Sequence, residues 1–201
     1  MTGDHYFTAE PATAAQPREV VFSAAGHDYT LVSSGGVFSA GRLDPGTAVL
    51  LRKADLPAPT TTGQLLDLGC GFGPITCVLA TSAPSATVWA VDVNARAREL
   101  TMVNAARVGA AGRVRVVEPD AVAAAVTFDQ IWSNPPIRIG KNELHQLLLR
   151  WLPRLAPDGV AWLVVARHLG GDSLHRWLAE RGWQVARPAS QKGYRVLRVT
   201  R

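Results

Sequence analysis

From Gln64 onward the chain repeats one pattern: a short apolar run, a break rich in turn residues, then a stretch of helical length and spacing. "QLLDLG", "TVWAVDV", "RVRVVE", "FDQIWSN" and "GVAWLVVAR" read as strands. "PITCVLATSA", "NARARELTMVNAARVG", "KNELHQLLLRWLPRLA" and "GDSLHRWLAERG" read as helices, the second closed by Gly109 and the third breaking near Pro153. Strands that are apolar throughout must be buried on both faces. Strands that alternate with helices are joined by crossovers and run parallel. Only "WQVARPAS" and "YRVLRVTR" leave this pattern, since they face each other across "QKG" and predict a terminal hairpin. The expectation is an α/β fold: a doubly wound, mostly parallel, seven-stranded sheet ending in a C-terminal antiparallel hairpin.

The segment before Gln64 is different. Residues 1–17 read as an irregular arm. "REVVFSAAGHDYTLVSS" reads as two strands turning at Gly26, and a glycine-rich loop then enters a helix with Asp44 as N-cap and Pro45 at its first position. "PAPTTTG", residues 57–63, is a turn-rich connector. It divides a small N-terminal β/α extension, residues 1–56, from a main domain, residues 57–201, on which the extension packs.

Within the main domain, "LLDLGCGFGPI" carries a buried strand into Gly69, Gly71 and Gly73 and then into a helix. Glycine permits close approach of the backbone to a ligand, and in a doubly wound sheet this turn borders the ligand crevice. The spacing is not that of a dinucleotide fingerprint, and no Lys-Ser/Thr pair follows as in a phosphate loop. Asp67 stands before the turn, where a carboxylate suits an ammonium group and repels a diphosphate. Asp92 ends the second strand of the series, placed to accept two ribose hydroxyls. Asn94 either caps the following helix or reaches the ligand. A nucleoside without phosphates that carries an amino acid is S-adenosylmethionine.

On these residues the segment 64–140 resembles the class I S-adenosylmethionine-dependent methyltransferases, with "DLGCGFG" as first motif and "VDVN" as acidic-loop motif. The resemblance implies a Rossmann-like fold. It also implies cofactor contacts from Asp67, Gly69, Cys70, Gly71, Gly73, Asp92, Val93 and Asn94, and an adenine contact from Asp120, a role for which Glu118 competes.

"SNPPI" then ends the fourth strand of the series at Asn134. An amine conjugated to a ring is a weak nucleophile whose lone pair is delocalised. Two fixed acceptors aimed at its N–H bonds favour the pyramidal, positively charged nitrogen of the transition state. The Asn134 side-chain oxygen and the Pro135 carbonyl supply them, and Pro135 with Pro136 holds them still. Asn134, Pro135 and Pro136 are therefore the candidate catalytic residues, with Asn134 also bordering the cofactor.

"NPPIRIGK" further resembles the small-domain methyltransferases related to ribosomal RNA small-subunit methyltransferase C, the guanine-N2 enzymes. "HYF…P" at 5–11, "GVFSAGRLDPGTAVLL" at 36–51 and "GYRVLR" at 193–198 fit the same family. The resemblance implies methylation of a guanine N2 in ribosomal RNA, free or in the 30S subunit, with Phe38 in a segment over the cofactor and Ile137, Arg138 and Lys141 at the substrate. Ile137 replaces the aromatic residue of adenine and protein-glutamine methyltransferases. Glutamine N5 methylation and a non-catalytic RNA-binding role stay as alternatives. The bacterial guanine enzyme carries a degenerate methyltransferase-like half ahead of its catalytic one, and these 201 residues contain no counterpart.

The formal net charge of +5 suits an anionic partner such as RNA. Cys70 and Cys77 are seven apart with no histidine cluster, so neither a metal site nor a disulfide is expected. No apolar run is long enough for a membrane span and the N-terminus is not a signal peptide, which predicts a cytoplasmic protein. A monomer is expected.

Overall fold

The first strand after the connector, β3 (Gln64–Leu68), lies inside the main sheet rather than at an edge. A computed structural model describes residues 16–39, 41–135 and 140–201. Before the connector come a two-stranded antiparallel hairpin, β1 (Arg18–Ala24) and β2 (His27–Ser33), and helix α1 (Pro45–Lys53). The main sheet adds β4 (Thr87–Val91), β5 (Val114–Val117), β6 (Phe128–Ser133), β7 (Leu155–Ala166), β8 (Gln184–Gln191) and β9 (Tyr194–Thr200) to β3. Their spatial order is β5-β4-β3-β6-β7-β9-β8. The first five of these run parallel, and β9 and β8 follow as antiparallel neighbours. This is the mostly parallel seven-stranded sheet and terminal hairpin that the strand and helix pattern predicts.

Four helices complete the crossovers and the far layer: α2 (Pro74–Ser82), α3 (Ala95–Arg107), α4 (Lys141–Trp151) and α5 (Gly171–Ala179). Alternate strand residues face opposite sides, so one strand feeds two cores. Leu65, Trp132, Trp162 and Val196 pack with α1, α2 and the β1–β2 hairpin. Leu66, Ile131, Leu163 and Leu197 pack with Leu144 and Leu148 of α4 and Leu174 and Leu178 of α5. α4 ends at Trp151, and a single 3-10 turn, Leu152–Arg154, follows. Pro153 has no N–H to continue the helical ladder, so Leu155 and Ala156, which the sequence pattern gives to the helix, begin β7 instead.

The chain leaves β3 toward β4 and β5, then returns to the other side of β3 as β6. The strand order therefore reverses between β3 and β6, and a crevice opens beyond their C-terminal ends, the usual ligand position in such sheets. Asp67 lies at the end of β3 and Asn134 one residue past β6. No helix among the described residues is long and apolar enough to cross a membrane.

Candidate active site

The backbone turns from β3 into α2 through glycines with positive φ: 77° at Gly69, 58° at Gly71 and 87° at Gly73. A Cβ at Gly73 would meet Thr101 Oγ1 at 2.9 Å, so glycine is required there for space as well as for conformation. At Gly69 and Gly71 a Cβ would meet nothing within 4 Å and would project into open space. The floor of the turn is Asp67, fully buried. Its Oδ2 accepts from the Thr76 N–H at 2.9 Å and the Thr76 hydroxyl at 2.6 Å. Its Oδ1 is buried without a partner among the described residues. Burial pushes this carboxyl up to about 7, against the pull of the two Thr76 hydrogen bonds, and nearby Asp92 adds to the rise.

Asp92 follows β4 and reaches back over the turn. Its Oδ2 accepts from the Gly71 N–H at 2.9 Å and its Oδ1 from the Asn94 N–H at 2.9 Å. Burial raises its pKa, while those N–H groups and Arg98 hold the rise back. Asn94 is buried, with both ends of its amide engaged. Oδ1 caps α3 at the Ala97 N–H, and Nδ2 donates to the Gly36 carbonyl at 3.0 Å. Arg96 donates to the adjacent Gly35 carbonyl at 2.8 Å. These two bonds fasten the loop before α1 to the start of α3. Asn104 of α3 ties β2 to the glycine turn, donating to the Val32 and Phe72 carbonyls at 2.8 and 2.7 Å.

The Asn-Pro-Pro elbow meets this arrangement from the β6 side. Asn134 Nδ2 donates to Asp44 Oδ1 at 2.7 Å and to Thr47 Oγ1 at 3.0 Å. Its Oδ1 accepts no hydrogen bond from the described residues. Pro135 is buried. A cleft open to solvent joins Asn134 to Phe38, Asp44 and Thr47 on one side and to Gly69, Cys70 and Gly71 on the other. The candidate cofactor turn and the candidate catalytic amide thus share one space.

Other residues singled out in the sequence lie elsewhere. Asp120 sits in a 3-10 turn after β5, with its side chain 87 % exposed and paired to Arg150 at 2.8 Å. It does not line the cleft. Val93 is exposed. Lys141 is the first residue of α4 and also exposed. Pro136, Ile137, Arg138 and the "HYF" segment lie outside the described residues. Cys70 and Cys77 are buried free thiols, both raised by burial. Among the described residues no three His, Cys, Asp or Glu side chains gather as metal ligands would.

Sequence reasoning missed the second task of Asp44 and the whole of Thr47. Both read as the start of a helix, which they are: Asp44 Oδ1 accepts from the Thr47 N–H at 3.0 Å. The signal available was the pair of side-chain acceptors in "LDPGT". Their partner, Asn134, lies 90 residues from Asp44 and 87 from Thr47, so only the fold discloses it.

Sheet order, glycine turn and acidic strand end define the Rossmann-like methyltransferase class. Residues 28–198 match the family model described as "Methyltransferase small domain", and the chain belongs to that family. A Bacillus subtilis (strain 168) relative named "Uncharacterized protein YbxB" is 32% identical over 199 residues, 98% of each chain. The ribosomal RNA small subunit methyltransferase C of Pseudomonas aeruginosa (strain UCBPP-PA14) is 35% identical over 178 residues. That match covers 81% of this chain and 52% of the relative, so this chain spans about half the length of that enzyme. Among solved structures, the T. thermophilus 16S rRNA N2 G1207 methyltransferase (RsmC), in complex with AdoMet and guanosine, has a TM-score of 0.76 at 27% identity. It matches 95% of this chain and 52% of its own.

Proposed function

We propose that this protein transfers a methyl group from S-adenosylmethionine to the exocyclic N2 of a guanine in ribosomal RNA. The observation that carries the reading is the Asn134 amide. Its nitrogen is anchored on Asp44 and Thr47, and it lines the same cleft as the glycine turn. The guanine relatives, and the guanosine bound to one of them, support the choice of target.

The residues present fit the cofactor. Gly69 and Gly71 leave room for a ligand against the backbone, and the unpartnered Oδ1 of Asp67 is an acceptor for an amino-acid ammonium. Asp92 offers the remaining lone pairs of its two oxygens to ribose hydroxyls. Phe38, 41% exposed at the cleft, lies over the site. When bound, S-adenosylmethionine supplies an electrophilic methyl on a sulfonium centre. Asn134 Oδ1 and the Pro135 carbonyl then accept the two N–H bonds of the target amine, turning its lone pair toward that methyl. As the nitrogen becomes cationic, both acceptors strengthen their hold, which lowers the barrier. A neutral amide also releases the product more readily than a carboxylate.

The RNA part of the reading is supported by charge. Arg42, Lys141, Arg167 and Lys192 are exposed around the C-terminal ends of the strands. Arg167 directly follows β7, and its N–H bonds the carbonyl of Gly193 in the β8–β9 turn at 2.8 Å.

The test is to incubate the purified protein with methyl-labelled S-adenosylmethionine and either naked ribosomal RNA or 30S subunits, then digest to nucleosides. Labelled N2-methylguanosine is the expected product. Label in protein glutamine instead would move the target to an amide side chain. Cofactor binding with no transfer to either would favour a non-catalytic RNA-binding role.

A further inference from the structure

We infer that Asp44 is a positioning residue for methyl transfer: it fixes the Asn134 amide in the one orientation that leaves Oδ1 to the target amine. The inference rests on the reading of the elbow given above.

The two ends of an amide side chain are nearly the same shape but opposite in hydrogen bonding. With the nitrogen turned toward the substrate, N–H groups would meet the N–H groups of the amine, and nothing would favour its lone pair. A carboxylate only accepts, so the end of Asn134 that faces Asp44 must be the nitrogen. The contact is 2.7 Å, within the range of a charge-assisted bond. Thr47 Oγ1 gives Nδ2 a second acceptor at 3.0 Å. Flipping the amide would set its oxygen against the carboxylate and lose both bonds. Donation into a carboxylate also polarises the amide and makes Oδ1 a stronger acceptor.

The holder is itself held. Asp44 Oδ1 caps α1 at the Thr47 N–H at 3.0 Å, so one oxygen serves helix and amide together. Gly46 between them keeps the space clear: a Cβ there would lie 2.9 Å from Asp44 Oδ1 and 2.9 Å from Tyr194 Cε1. "DPGT", residues 44–47, is therefore a clamp as well as a helix start.

The decisive variant is Asp44→Ser, because serine caps a helix as well as aspartate does but carries its uncharged oxygen one bond nearer its own backbone, drawn back from Asn134. The melting temperature and S-adenosylmethionine affinity should stay close to those of the unmodified protein. Single-turnover methyl transfer should slow about 10- to 100-fold, the worth of one hydrogen bond to a charged group. Asp44→Asn keeps an acceptor of the right length and should restore most of the rate. In an Asn134→Ala background, Asp44→Ser should cost nothing more, since Asp44 acts through that amide. A second readout needs no RNA. The Asn134 side-chain NH2 signals, identified in a nitrogen–proton spectrum by their loss in Asn134→Ala, should exchange slowly with solvent. They should exchange as fast as an exposed amide in Asp44→Ser. Unchanged amide exchange in Asp44→Ser, or a rate loss equally large without Asn134, overturns the inference. Failure to form N2-methylguanosine while the amide exchange behaves as expected would overturn the guanine assignment and leave the clamp standing.

Discussion

The two ends of the main sheet differ in how many of their cations the fold itself engages. At the N-terminal ends of the parallel strands, arginines close the molecule. Arg113 donates to the carbonyls of Ala80 and Gly109, Arg154 to those of Ala123 and Val126, and Arg201 to those of Pro153 and Leu155. Each guanidinium satisfies carbonyls where helices stop and strands begin, groups that secondary structure leaves open. At the C-terminal ends, Arg42, Lys141, Arg167 and Lys192 make no hydrogen bond or ion pair through their side chains with the described residues. Three acids at that end point inward, Asp67 and Asp92 around the glycine turn and Asp44 on Asn134. The N-terminal end commits these arginines to its own backbone; at the C-terminal end Arg96 and Arg98 do the same at the Gly35, Asp92 and Val93 carbonyls, while the other four cations have no such partner among the described residues.

The largest effect that tests this contrast is at Asn134. If its amide acts on a transition state, Asn134→Ala should leave cofactor binding and melting temperature nearly intact. It should slow single-turnover transfer by about 10²–10³, the usual worth of one preorganised polar contact. Near-normal transfer with a lowered melting point would make the elbow a structural feature, no different in kind from the sealed end.

Asp92→Ala should come next. Lost ribose contacts to a charged acceptor cost about 1.5–3 kcal/mol, or about 10- to 100-fold in S-adenosylmethionine affinity by titration calorimetry. The structure sharpens the expectation, because Asp92 also holds the Gly71 and Asn94 N–H groups. Some loss of melting temperature should accompany the loss of affinity. A folded variant that binds the cofactor normally would remove Asp92 from the site.

Much of this was legible in the sequence. The alternation of apolar runs and helices fixes the layers, since each strand must be covered on both faces. The glycines at 69, 71 and 73 mark the turn because glycine enters positive φ without the penalty a Cβ brings. What remained hidden depends on contacts between distant segments. Asn94 reads equally as cap and as ligand contact, and only the position of Gly36 shows both ends of its amide engaged. Asp120 reads as an adenine contact by its place after a strand, whereas here it faces out toward Arg150. Asp44 announces a helix start, and nothing local to it announces Asn134.

The raised pKa of Asp67 gives a smaller, pH-dependent effect. Burial raises its carboxyl to about 7 when the cleft holds no ligand, so its protonation changes across the neutral range. A ligand ammonium pairs only with the ionised form. Affinity for S-adenosylmethionine should therefore rise, at most about tenfold per unit, as pH increases from about 6 toward 7.5. It should fall again as the ligand's own amino group, near 7.7–8.0, loses its proton. The apo protein has the opposite dependence. A carboxyl with a folded pKa above its unfolded one stabilises the fold most when protonated, and that contribution fades as pH rises from about 4 through 7. Asp67→Asn should flatten both profiles. An affinity that ignores pH between 6 and 7.5 would mean that the ammonium is bound elsewhere.

The smallest single effects distinguish the two ends most directly. RNA bound at the C-terminal end releases counterions from each phosphate covered, so affinity should fall linearly with salt on logarithmic axes. Arg167→Ala and Lys192→Ala should each weaken RNA binding a few-fold and reduce the steepness of that line by about one. The two residues adjoin through the Arg167–Gly193 backbone bond, so their losses should combine in the double variant. Arg113→Ala and Arg201→Ala carry the same change in net charge. They should leave the salt slope where it was and lower the melting temperature instead, because the carbonyls they satisfy lose donors worth about 0.5–1.5 kcal/mol each. The four variants match in charge, so a general effect of net charge would move all four slopes together. That outcome would dissolve the distinction between a sealed end and an RNA-facing one. A slope that changes only for Arg167 and Lys192 would locate the polyanion on the side of the sheet where Asn134 lies.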